Sequence, residues 1–153
     1  MDDVQAPPVA AANPVSVTAT RVLVIDDSNT IRRSAEIFLK QGGHEVLLAE
    51  DGFDALAKIN DHAPQLIFCD ILMPRLDGYQ TCAIIKRNPR FAHVPVIMLS
   101  SKDGLFDKAR GRMVGSEDYL TKPFTKEQLL RAVQQFGAGS QSAVGTGDAL
   151  PLA

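Results

Sequence analysis

Five short apolar runs recur along the chain, at 22–25, 46–49, 66–69, 94–99 and, more weakly, 119–120. The first four have the length and continuous hydrophobicity of strands covered on both faces, and the fifth is a fainter version of the same signal. Between them the apolar positions shift to helical spacing. Ile31, Ala35, Phe38 and Leu39 form one stripe, Ala55, Leu56 and Ile59 a second, and Gly78, Cys82 and Ile85 a third. Phe106, Ala109 and Met113 predict a fourth helix, and Leu129, Leu130, Val133 and Phe136 a fifth.

Punctuation agrees with this division. Gly42 suits the stop of the first helix, while Pro64 and Pro89 end the second and third. Thr125 and Gln128 have the spacing of a capping box opening the last. A strand followed by a helix, five times over, implies an α/β fold with one parallel sheet, because each right-handed crossover needs a covering helix. In such sheets ligands bind beyond the carboxyl ends of the strands, so the polar residues there decide function.

Composition narrows the setting. The chain has 153 residues, 45% hydrophobic and 22% charged, enough for one domain with a real core. Residues 1–20, with Pro7, Pro8 and Pro14, predict a disordered N-terminal arm; residues 137–153, with four glycines and one charge, predict a flexible tail. The domain is expected over 21–136. All 16 basic residues and all the acidic ones except Asp2, Asp3 and Asp148 fall in it, so it is near neutral and offers no electrostatic case for nucleic acid. No apolar stretch approaches the roughly 20 residues of a membrane span, and no basic, apolar leader opens the chain. A cytoplasmic location is expected. Cys69 and Cys82 have no metal-ligand spacing and read as buried thiols; His44, His62 and His93 share no spacing and read as solvated.

The strand ends carry the chemistry. The first ends in Asp26-Asp27, the third in Asp70 and the fourth in Ser100-Ser101, and the fifth leads into Lys122-Pro123. Singly, each has a bland reading: a helix cap, a loop start, a surface cation. Together they put three carboxylates on one sheet edge. With adjacent strands about 4.8 Å apart, their mutual repulsion raises at least one pKa unless a cation is bound. Such an all-oxygen set suits Mg²⁺ rather than zinc.

The segments Val-Leu-Val-Ile-Asp-Asp-Ser at 22–28, Asp-Ile-Leu-Met-Pro-Arg-Leu-Asp-Gly at 70–78, Pro-Val-Ile-Met-Leu-Ser-Ser at 95–101 and Lys-Pro-Phe at 122–124 resemble the receiver domain of CheY-like two-component response regulators. The resemblance implies a flavodoxin-like strand order 2-1-3-4-5 with helices on both faces. It implies Asp70 as phosphoacceptor, attacking the phosphohistidine of a partner kinase, and Mg²⁺ held by Asp26, Asp27, Asp70 and the backbone carbonyl of Leu72. Lys122 would pair with phosphoryl oxygens, Ser100 and Tyr119 would switch on phosphorylation, and the Lys122-Pro123 peptide would be cis. Leu72 and Lys102 flank the water route to the acyl phosphate in this family, and an apolar Leu72 predicts slow dephosphorylation. Gly78 and Pro74 read as structural, letting the loop turn and the third helix approach the sheet.

With no output domain in the sequence, the resemblance is to stand-alone receivers that bind partners through the fourth helix, fifth strand and fifth helix. Tyr119 and either Leu105 or Phe106 would lie on that face. The run at 100–116 is similar to the regulators of chemosensory systems that control type IV pili and twitching motility. This implies a chemotaxis-type histidine kinase upstream and a pilus or motility protein downstream, rather than an enzyme beyond self-phosphorylation and autodephosphorylation at Asp70. A flagellar chemotaxis regulator or a phosphorelay shuttle is the alternative within the family. A Mg²⁺-dependent aspartyl-phosphate phosphatase wants a second acid where Leu72 stands, and a nucleotide site wants glycines that 26–31 lacks.

Overall fold

The structure is a computed structural model that describes residues 18–101 and 108–138. Lys102, Leu105 and Phe106 lie outside the described residues, as do 1–17 and 139–153 of the two expected tails. Strands β1 (Arg21–Ile25), β2 (Glu45–Ala49), β3 (Leu66–Asp70), β4 (Val96–Ser101) and β5 (Asp118–Lys122) alternate with α1 (Asn29–Gln41), α2 (Gly52–His62), α3 (Gly78–Arg87), α4 (Lys108–Met113) and α5 (Lys126–Phe136). All pairings are parallel and the order is β2-β1-β3-β4-β5.

Alternation along the strands divides the core in two. Leu23, Ile25, Ile67 and Met98 pack on one face with Ala55 and Ile59 of α2 and Cys82 and Ile85 of α3. Val22, Val24, Phe68 and Leu99 pack on the other with Leu39 of α1 and Leu129 and Val133 of α5. Every residue of the central strand β3 is buried, and each large side chain there contributes roughly 1.5–3 kcal/mol by leaving water. The edge strand β2 is covered less than its apolar sequence predicts: Glu45 is exposed and Val46, Leu47 and Leu48 are half-buried, because only one neighbour flanks it.

Helix starts are fixed by side chains. The Ser28 hydroxyl accepts from Ile31 N, Asp51 from Asp54 N, and both Asp77–Gln80 and Thr125–Gln128 close capping boxes. The first helix stops at Gly42 as expected, but the left-handed residue is Gly43.

Three further expectations need correction. The stripe read through α4 does not face the core in its described part: Ala109 is exposed and Met113 is 85% exposed. Gly111 is the buried position instead, and Val114 just beyond packs on the core. His44 is buried rather than solvated, because its Nδ1 accepts the backbone N–H of Thr20 at 3.1 Å. Thr20, assigned to the arm, belongs to the folded unit: it is buried, and its hydroxyl accepts from Ala138 N at 3.0 Å.

Candidate phosphoacceptor site

Asp26 extends β1 by one residue. Its N–H donates to the Ala49 carbonyl across the β2 ladder at 3.1 Å, and one carboxylate oxygen accepts from Ser28 N at 2.9 Å. The side chain is fully buried, whereas Asp27 is exposed. Asp70 closes β3 opposite Leu99 of β4 and is also buried. One oxygen from each of Asp26, Asp27 and Asp70 lies within 4.8 Å of the other two.

Two of these carboxylates share one cation. Lys122 Nζ, at the end of β5, donates to Asp70 Oδ1 at 2.9 Å and to Asp26 Oδ2 at 3.1 Å. The Lys122–Pro123 peptide bond is cis. The Asp70 carboxyl is pushed up to about 6, first by burial, which outweighs the hydrogen bond from Lys122; the charge of Asp26 and a hydrogen bond with Asp27 push the same way. Crowding of acids therefore adds to a shift that desolvation dominates. Burial alone would lower Lys122, but its bonds to Asp70 and the charge of Asp26 more than compensate, and its pKa is raised.

The loop after Asp70 is held against it. Gly78 N donates to the Ile71 carbonyl at 2.8 Å, and a Cβ on Gly78 would sit 2.3 Å from the Asp70 carbonyl oxygen. Close approach is what position 78 requires. Leu72, two residues past Asp70, is 67% exposed. Cys69 is buried in the core, and burial pushes its thiol well up, which suits a packing role.

Ser100 is buried near the end of β4, and its hydroxyl donates to the Ser101 carbonyl at 3.4 Å, a long and weak bond. Met98 pairs with Tyr119 and Ser100 with Thr121, so Ser100 and Tyr119 project from the same face of the sheet. Tyr119 is half-buried, with the Lys108 ammonium 5.2 Å from its ring centre.

Sequence reasoning missed Arg32. Its guanidinium donates to the Asp26 carbonyl at 2.5 Å and to the Asn29 side chain. The available signal was its place in the first turn of α1, where long side chains point back toward the helix N-terminus and the strand end before it.

The assembled group is three carboxylates and an ammonium that bridges two of them. This all-oxygen set fits a hard divalent cation, and the arrangement suits phosphoryl transfer, which depends on positioning and charge neutralisation.

Comparison with known proteins agrees. Residues 22–134 match the response regulator receiver domain family. Protein PilG of Pseudomonas aeruginosa is 68% identical over 114 residues, covering 74% of this chain and 84% of the relative. Protein PilH of the same organism is 37% identical, covering 78% and 98%. The structure of chemotaxis protein CheY4 from Vibrio cholerae superposes with a TM-score of 0.73 at 32% identity, over 78% of this chain and 99% of that one. With its strand order, its acid cluster and the lysine that bridges it, the chain belongs to the response regulator receiver domain family.

Proposed function

We propose that Asp70 accepts a phosphoryl group from the phosphohistidine of a chemotaxis-type histidine kinase, and that the resulting change in partner binding controls type IV pilus-dependent twitching motility. The observation that carries the chemistry is the bridge from Lys122 to both Asp70 and Asp26. The 68% identity to PilG supports the pathway.

In the transfer, a carboxylate oxygen of Asp70 forms a bond to phosphorus as the phosphorus–nitrogen bond to the donor breaks, and the imidazole leaves with the electron pair. Lys122 already stands beside that oxygen and pairs with the incoming phosphoryl group, which needs little reorganisation. Asp26, Asp27 and Asp70, with the Leu72 carbonyl, would hold Mg²⁺, which would supply positive charge to offset that of the phosphoryl group. The weakly bonded Ser100 hydroxyl turns to donate to the phosphoryl group. Tyr119, on the same face, moves into the space this opens and changes the surface that a downstream pilus or motility protein binds.

Complementation tests the pathway. In a strain lacking its own PilG-like regulator and defective in twitching, the wild-type chain is expected to restore the twitching zone and Asp70→Asn to leave it absent. Restoration of flagellar chemotaxis instead would redirect the assignment.

A further inference from the structure

We infer that Arg32 is a positioning residue for the acid cluster, acting through the main-chain carbonyl of Asp26 without touching the metal or the phosphoryl group. This rests on the reading of Asp26, Asp27 and Asp70 as a Mg²⁺ site.

Asp26 is fully buried at the point where β1 leaves the sheet. Each of its other polar groups is held: the N–H by Ala49, one carboxylate oxygen by Ser28 N, the other by Lys122. The carbonyl needs a donor as well, since a buried backbone oxygen without one costs free energy comparable to a lost hydrogen bond. Arg32 supplies it at 2.5 Å. Its other arm donates to Asn29, so the planar guanidinium is clamped at both ends. Fixing that carbonyl fixes the plane of the Asp26–Asp27 peptide, and with it the direction in which Asp27 leaves the backbone. Asp27 is the exposed member of the cluster, and this backbone constraint fixes the base from which its carboxylate reaches the other two. A lysine carries all its donors on one nitrogen and lacks the planar fork by which two separate nitrogens reach Asp26 and Asn29.

The two roles open to this arginine predict opposite signs. As a nearby positive charge alone it opposes a cation, and its removal would tighten Mg²⁺ binding. As a positioning residue its removal weakens binding, typically by 10–100-fold for groups that orient ligands.

Full-length wild type, Arg32→Ala, Arg32→Lys and Asn29→Ala are titrated with MgCl₂ and followed by backbone amide NMR shifts, with metal-free thermal unfolding of each as the fold control. We expect the dissociation constant to rise at least about tenfold in Arg32→Ala, nearly as much in Arg32→Lys and less in Asn29→Ala, with all four cooperatively folded. Unchanged or tighter binding in folded Arg32→Ala overturns the inference, as does full rescue by lysine. Should Arg32→Ala fail to fold, the two milder variants decide by the same criteria. Absence of Mg²⁺-dependent shifts in the wild type would overturn the metal reading itself.

Discussion

Lys122 Nζ lies 2.9 Å from Asp70 Oδ1, yet burial still pushes the Asp70 carboxyl up to about 6. Burial outweighs the ion pair, so the folded protein holds the Asp70 proton more tightly than the unfolded chain does.

A pH dependence of stability follows from that preference. Because the folded pKa is raised from 3.8 to about 6, the stabilisation from protonated Asp70 is full below the unfolded value and is lost as pH rises through the folded one. Asp70→Asn stays neutral throughout. In urea unfolding without metal, the variant should gain on wild type between pH 4 and pH 7, by up to about 3 kcal/mol for a shift of this size. Parallel curves for the two proteins would contradict this.

His44 runs the other way. Burial lowers its pKa below 6.5, and its Nδ1 must be unprotonated to accept the Thr20 N–H. Its contribution is present above pH 6.5 and is lost as pH falls through the lower folded value. NMR titration should place its imidazole below the ordinary histidine pKa. His44→Gln should flatten the acid-side loss of stability while lowering stability at pH 7.5 by about 1–2 kcal/mol.

Gly78→Ala probes the approach of α3 to Asp70. The added methyl would meet the Asp70 carbonyl at 2.3 Å and Ile71 Cα at 2.8 Å, both backbone atoms with little room to yield. The expected cost is about 1–3 kcal/mol or somewhat more, read by urea denaturation, with slower phosphorylation as Asp70 is displaced.

Leu72 should set lifetime without setting stability. Its side chain is exposed and offers no hydrogen bond to a water approaching the acyl phosphate. Leu72→Asn is expected to leave the unfolding midpoint unchanged and to speed loss of phosphate roughly tenfold, about 1.4 kcal/mol of barrier. An unaltered decay rate would remove Leu72 from that role.

Much of this was legible in the sequence because it depends on local pattern. Continuous apolar runs gave β1, β3 and β4, and the ends of β1, β3 and the fainter β5 gave Asp26, Asp70 and Lys122, since topology alone brings strand ends to one edge. The misread features depend on contacts that pattern does not encode. Partial cover of β2 reflects its edge position, and burial of His44 reflects a bond to Thr20, 24 residues away. Exposure of Met113 reflects how α4 lies on the sheet. Arg32 has an identical neighbour in Arg33, and the backbone carbonyl it reaches sets it apart.

The most direct test is intact-protein mass after incubation with acetyl phosphate, with and without Mg²⁺, for wild type and Asp70→Asn. One phosphoryl adduct is expected on the wild type, dependent on Mg²⁺ and absent from the variant. An adduct that persists in Asp70→Asn, or none on the wild type with Mg²⁺ present, would contradict Asp70 as the phosphoacceptor.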